Sequence, residues 1–230
     1  MPAQPKPSPL PAAQLRAATG GLLDAVVYLN HGQVFANAMT GNVIFLGIAA
    51  VGRDWADVAR HIAPILAFLA GVVAARLLAA APIRHAPISN APALTLAVEI
   101  LALFFIGMLP GTFPQLLFTA TVSFVSAFQV TTFRRIGRFT YNSTFVTGNL
   151  RELAEGAFAS FAAPDPAARY LGRAKARKLG LVCLSFLTGA TLGAFTAHHY
   201  PTHALWFAEP FLLTALTLIL LNPTHFNPNG

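Results

Sequence analysis

Apolar residues divide this chain into long blocks separated by short polar intervals. Four blocks are uninterrupted, at about 61–80, 91–109, 178–197 and 204–221. Each approaches the ~20 residues a helix needs to cross ~30 Å of hydrocarbon. Two further regions, at about 14–51 and 114–163, are longer and interrupted. Each has an apolar first part, a polar break, and a second part opening near Thr-Gly-Asn. The breaks read NHGQVFANAM and RRIGRFTYNSTFV.

The two interrupted regions correspond to each other. Thr40-Gly41-Asn42 matches Thr147-Gly148-Asn149, and with a two-residue gap DAVVYL from Asp24 aligns with QVTTFR from Gln129. The next block carries FLAG, ending at Gly71, in one half and FLTG, ending at Gly189, in the other. The last block of each half holds one acid, Glu99 or Glu209. Four matches in the same order indicate an internal duplication split near 110–114. The expected organisation is a disordered lead at 1–13, one membrane domain at 14–221 (repeat one about 14–110, repeat two about 114–221) and a tail at 222–230.

Composition strengthens the membrane reading. The chain is 55% hydrophobic, only 10% charged, and has a mean hydropathy of +0.60; soluble domains are about 25% charged. The formal charge of +7 would suggest nucleic acid in a soluble protein. Here basic residues are expected in cytoplasmic loops, there is no nucleic-acid motif, and the partner is the lipid bilayer. Cys183 is the single cysteine, so no intrachain disulfide can form. The N-terminal lead lacks the apolar centre of a secretory signal.

Loop charge sets the orientation. The segment 164–178, expected as a loop, carries Arg169, Arg173, Lys175, Arg177 and Lys178 and should face the cytoplasm. If each interrupted region crosses once in net terms, the fold is all-α with six crossings in two inverted three-span repeats. The first element of each repeat is then a discontinuous helix, both termini are cytoplasmic, and Lys6, Arg16, Arg76 and Arg84 fall on that side. The alternative makes each interrupted region a full hairpin, giving eight spans and parallel repeats. It would place Arg134, Arg135 and Arg138 outside, so the loop charges favour six crossings.

The interruptions direct attention to chemistry. Irregular backbone at membrane depth is tolerated only against protein or a water-filled cavity, and a half-helix N-terminus exposes N–H groups and partial positive charge. Thr40 and Thr147 read as N-caps, Gly41 and Gly148 as points of close backbone approach, and Asn42 and Asn149 as donors and acceptors. Asp24, Tyr28, Asn37 and Gln129 complete a candidate binding set for a small polar or anionic solute. The plainer reading is that both triplets only cap helices in tight turns. Asp24, Glu99 and Glu209 are candidates for proton coupling, because acids inside spans are usually functional; the alternative is that they are neutral or paired. Arg134 and Arg135 are candidates for contact with an anion, or else snorkel to lipid phosphates. His198, His199 and His203 are separated by Pro201 and do not read as a metal site. No nucleophile–base pair or cofactor motif is present, so neither an enzyme nor a cofactor is expected.

The stretches GGLLDAVVYLNHGQVFANAMTGNVIFLGIA and TGNLRELAEGAF resemble the YoaK-like family of bacterial inner-membrane proteins, a family of unknown function, over about 18–221. The matching positions are Gly21, Asp24, Ala25, Phe35, Asn37, Thr40, Gly41, Asn42 and Gly47, then Thr147, Gly148, Asn149 and Leu150. The resemblance implies a multi-span helical protein of the bacterial inner (cytoplasmic) membrane and no particular activity. The residues themselves favour a small proton-coupled secondary transporter, in which one repeat rocks against the other. A passive channel or facilitator, and a non-transporting scaffold or lipid-binding protein, are the alternatives. A homodimer is compatible with this size.

Overall fold

The computed structural model describes residues 9–80 and 91–221. The far N-terminal lead, Arg84 and the C-terminal tail lie outside the described residues. Helix α1 (Leu10–Asn30) is followed by α2 (Met39–Gly52), α3 (Trp55–Ala80), α4 (Ala91–Gly107) and α5 (Gln115–Thr132). A two-stranded hairpin, β1 (Arg135–Ile136) and β2 (Phe139–Thr140), precedes α6 (Val146–Ala162), α7 (Pro166–His199), a 3₁₀ turn (Ala204–Ala208) and α8 (Glu209–Leu221). Helices α3 and α7 and the segment Ala204–Leu221 are long and apolar enough to cross a membrane. Val43, Ile48, Leu66, Leu69, Leu77 and Leu187 are among the large apolar side chains that face outward, as lipid-facing side chains would.

Three sequence expectations change. Helix α1 begins at Leu10, with Pro9 as its N-cap and Pro11 in its first turn, where a missing N–H costs nothing. The boundary expected at residue 14 therefore falls inside α1. Second, the first part of the leading interrupted region is no half-helix. Its 21 residues run unbroken for ~31 Å, and only α2, with 14 residues and ~21 Å, is half-length. Third, the basic segment 164–178 is helical. Asp165 caps α7 by accepting hydrogen bonds from Ala167 N (3.1 Å) and Ala168 N (3.3 Å). The 34 residues of α7 reach ~51 Å, longer than the hydrocarbon is thick. Lys175 Nζ, on its basic first turns, meets Glu152 at 2.6 Å and Glu155 at 3.3 Å on α6.

The halves are interlocked by exchange. Helix α1 packs on α7 and α8 of the second half, and α5 packs on α3 and α4 of the first. Helix α2 lies on α3, and α6 lies on α7. Swapping the two halves leaves this list unchanged. The FLxG glycines make the exchanged contacts possible. A Cβ on Gly71 would strike the carbonyl of Phe124 in α5, and one on Gly189 would strike the carbonyl of Ala18 in α1. Small residues that let helix backbones touch are how membrane helices gain contact where lipid supplies no hydrophobic drive. Leu22, Val26, Leu96, Leu103, Val122 and Leu212 fill the centre between α1, α4, α5 and α8.

Candidate functional site: two returning segments around a polar interior

The first interruption is a reversal of the chain. His31 N donates to Val27 O and Gln33 N to Tyr28 O, closing α1. Gly32 and Gln33 then take left-handed φ values of 83° and 58° and turn the backbone through the end of the helix. The chain runs back along α1, so that Asn37 N donates to Asp24 Oδ1 (2.7 Å), Ala38 N donates to the same oxygen (3.4 Å), and Asn37 Nδ2 donates to Gly20 O (3.3 Å). Helix α2 starts there. Asp24 thus supplies an acceptor for N–H groups at the head of α2 that have no partner within the helix.

The second interruption repeats the device with more chain. After α5, the β1–β2 hairpin turns at Gly137, whose φ of 58° suits a two-residue turn. The chain then returns to the interior, and Gln129, aligned with Asp24 in sequence, donates from Nε2 to Ser143 Oγ and to Arg16 O, both at 3.3 Å. The two returning segments meet at Gly20. Its carbonyl accepts Asn37 from one side, and a Cβ there would meet Ser143 O and Thr144 on the other.

The repeated asparagines do the same job twice. Asn42 Oδ1 accepts Phe35 N (2.9 Å) while its Nδ2 donates to Phe35 O (2.8 Å). Asn149 Oδ1 accepts Asn142 N (3.0 Å) while its Nδ2 donates to Asn142 O (2.6 Å). Each amide clasps the peptide groups of the residue seven positions earlier, as a neighbouring strand would, and pins the returning loop to the first turn of the helix that follows. These contacts occupy both polar atoms of each amide.

The threonines do not cap. The N-cap residues are Ala38 and Phe145, without side-chain caps, and Thr40 and Thr147 are the second residues of α2 and α6. Thr40, Thr147 and Gly148 lie on the exterior. Gly41 is needed because the Phe35 ring lies where its Cβ would be, whereas Gly148 faces open space. Tyr28 is half-buried and stacks on Phe35 with ring centroids 4.9 Å apart. Arg134 and Arg138 are exposed on and beside the hairpin, with Arg135 half-buried between them.

The buried polar groups that remain belong mostly to other residues. Glu99 is 1% exposed, and both of its carboxylate oxygens lack a protein hydrogen-bond partner. Asp24 Oδ2, Asn37 Oδ1, Gln129 Oε1, Glu209 Oε1 and the hydroxyls of Ser123 and Ser126 are in the same condition. Arg16 joins them, a residue that sequence reasoning assigned to the cytoplasmic flank. It is 0% exposed; Nη2 donates to Tyr141 Oη (2.7 Å) and the guanidinium covers the Phe133 ring at 3.9 Å, while Nε and Nη1 have no protein partner. The signal in the sequence was Ala12, Ala13, Ala17 and Ala18, which extend the apolar helix on both sides of this arginine.

At the far end of α1, Asn30, His31, Pro110, Gln115, Phe118 and Thr202 surround a pocket of about 190 Å³. His31 stacks on Phe118 with centroids 3.7 Å apart, and burial pushes its pKa down to about 4.

Residues 12–219 match a family described as a protein of unknown function, DUF1275. Over 140 residues the chain is 29% identical to the UPF0700 transmembrane protein YoaK of Bacillus subtilis (strain 168). The match takes in 60% of this chain and 62% of that relative, less than two thirds of its length. No solved structure matches. With its apolar helices and a transmembrane relative, this is a predominantly helical membrane protein with one short β hairpin, and it belongs to the DUF1275 family.

Proposed function

We propose that the protein is a small proton-coupled secondary transporter of the bacterial inner membrane, with both termini in the cytoplasm. The single observation that carries this reading is the meeting of two re-entrant segments, at matched positions of two halves, beside buried polar groups that the protein itself leaves unpaired. Interrupted elements at corresponding places in inverted repeats are where secondary transporters hold solute.

On this reading α1, α3, α4, α5, α7 and α8 cross, and α2 and α6 are the helices that return to the side they came from. The halves are then inverted. The solute site is the interior bounded by Arg16, Asp24, Asn37, Glu99 and Gln129, with Asn42 and Asn149 holding the loops in place. The pocket at the end of α1 is the outer vestibule. The rocking bodies differ from the sequence repeats. One consists of α1, α6, α7, the 3₁₀ turn and α8, the other of α5, α2, α3 and α4, because those are the elements that pack together. Their meeting edge includes Trp206 Nε1, which donates to Phe104 O (3.2 Å) beside Gly107.

The experiment is flux into proteoliposomes under a proton gradient, with two oxidised cysteine pairs. A Gly107→Cys/Trp206→Cys bridge joins the two bodies and should stop flux reversibly. A Thr95→Cys/Thr132→Cys bridge, placed where the two hydroxyls are 3.2 Å apart within one body, should leave it running. If both bridges are without effect on measurable flux, alternating access is wrong and a passive facilitator takes its place. A non-transporting scaffold is favoured by one observation, the saturated asparagine clasps, and flux from no solute class would establish it.

A further inference from the structure

We propose that the pocket at the outer end of α1 is where solute is first recognised, and that it takes a small uncharged cyclic amide. The inference rests on the transporter reading and gives it a solute class.

Charge narrows the class first. Among the described residues that line the pocket there is no Asp, Glu, Lys or Arg. His31 is the titratable group of the lining, and burial keeps its ring neutral, with the pKa pushed down to about 4. Arg60 lies beside Gly32, the next residue along the chain, but its guanidinium is paired with Asp57. An ion would enter without a partner, which is costly away from water. An uncharged molecule meets no such penalty.

Size narrows the class further. The pocket holds about 190 Å³. An apolar cavity of about 150 Å³ accepts one benzene ring, and sites for drug-sized ligands start at about 300 Å³. One ring with small substituents matches that range. Ile106, Leu109, Phe113 and Leu205 supply apolar wall for its body.

The polar groups then select the ring's edge. A neutral imidazole presents one N–H and one bare nitrogen, and a primary amide presents donors and an acceptor together. Stacking on Phe118, at 3.7 Å between centroids and 17° between planes, fixes the His31 ring, and burial is the one cause of its pKa shift, with no hydrogen bond contributing. Asn30 Nδ2 reaches Ala197 O and Pro201 O at 3.4 Å each, beyond the usual length of such bonds. Gln115 adds a second amide from the first turn of α5. All three side chains can both donate and accept. A cyclic amide, whose N–H and C=O lie side by side, answers such groups with two hydrogen bonds at once.

The pocket also spans the seam between the two bodies. Asn30, His31 and Thr202 stand on the side of α1 and the 3₁₀ turn; Leu109, Gln115 and Phe118 stand on the side of α4 and α5. A ring bound there touches both bodies. Rocking changes its contacts, so occupancy can bias the equilibrium between the two arrangements.

The test is calorimetric titration of the purified full-length protein in detergent at neutral pH, with uracil as the probe. Wild type should bind it. Uracil methylated on both ring nitrogens keeps the ring and loses both N–H groups, and orotate adds a carboxylate to the same ring; each should bind at least about tenfold more weakly. Gln115→Ala should weaken uracil about fivefold, and His31→Phe, which keeps a ring against Phe118, about tenfold. Gln115 is exposed, so its variant reports on the site even if His31→Phe fails to fold. The inference is overturned if uracil, pyridone and pyrrolidone all fail to bind, if orotate or the dimethyl compound binds as tightly as uracil, or if Gln115→Ala and His31→Phe leave uracil affinity unchanged. Flux of a charged solute that the 107–206 bridge arrests, with no uracil binding, sinks the inference and leaves the transporter standing. Uracil binding with this pattern, but without flux of any solute, keeps the site and its ligand class and overturns transport.

Discussion

Asn42 and Asn149 each hold two backbone hydrogen bonds to a residue seven positions earlier, inside a fold whose loops must lie against protein. Replacing either by Ala removes both bonds and leaves buried peptide groups unpaired, a loss of about 2–4 kcal/mol. We expect Asn42→Ala and Asn149→Ala each to lower the melting temperature of the detergent-solubilised protein by several degrees. Thr40→Ala and Thr147→Ala, on the exterior, should change stability by no more than about 0.5 kcal/mol. Equal melting of all four variants would remove the clasp from the account. The asparagines were visible in the sequence as the last residue of a repeated triplet, and their importance could be inferred from the repetition. Their partners could not, because a contact to the seventh residue back depends on how the loop folds. Arg16 was hidden for a different reason. A charge near the start of an apolar run reads as flank, and only its packing against Phe133 and Tyr141 shows it to be interior.

Among the elements, α1 and α7 were read at the wrong length. Helix α1 was taken as half a span because the polar break dominates its region, yet nothing between Leu10 and Asn30 stops a helix; the break begins only with Gly32. Helix α7 was started too late because charge was read as loop, although Asp165-Pro166 is a helix start by its own chemistry. The FLxG motif, by contrast, was legible as a repeat and proves to be the seat of the exchanged helix contacts. Gly71→Ala and Gly189→Ala should therefore each destabilise by about 1–3 kcal/mol, the usual cost of forcing atoms into a packed interface, while Gly148→Ala should be neutral or stabilising by about 0.5–1 kcal/mol. Comparative melting of the three decides the matter.

The closed end of α1 carries a pH prediction. His31 is held neutral by burial against Phe118, with its pKa down from 6.5 to about 4. The unfolded chain then binds the extra proton first. The stability this provides is complete above about pH 6.5 and falls away as the pH drops towards 4. His31→Phe keeps a ring for stacking and removes the proton site. Its melting temperature should fall less steeply than wild type between pH 6.5 and 4, and parallel curves for the two proteins would show that the ring does not titrate with folding.

For the whole molecule, the exchange of first helices decides what can move and what can fold. If each sequence repeat were its own bundle, α1 would lie on α3 and α4, and a fragment holding one repeat could be stable by itself. Instead the principal partners of α1 are α7 and α8, and those of α5 are α3 and α4. Each half exposes, in isolation, the faces its own first helix leaves uncovered, with Gly71 or Gly189 at their centre. A chain cut in the interval between α4 and α5, near Gly111, should therefore yield two fragments that are degraded when expressed singly. Co-expressed, they should purify together as one species through a tag on either fragment. Repeating the co-expression with Gly189→Leu, which blocks the α1–α7 seat, should abolish capture of one fragment by the other. Recovery of either wild-type fragment as a stable monomer would mean that the repeats are autonomous. The rocking bodies would then have to be redrawn along the sequence halves.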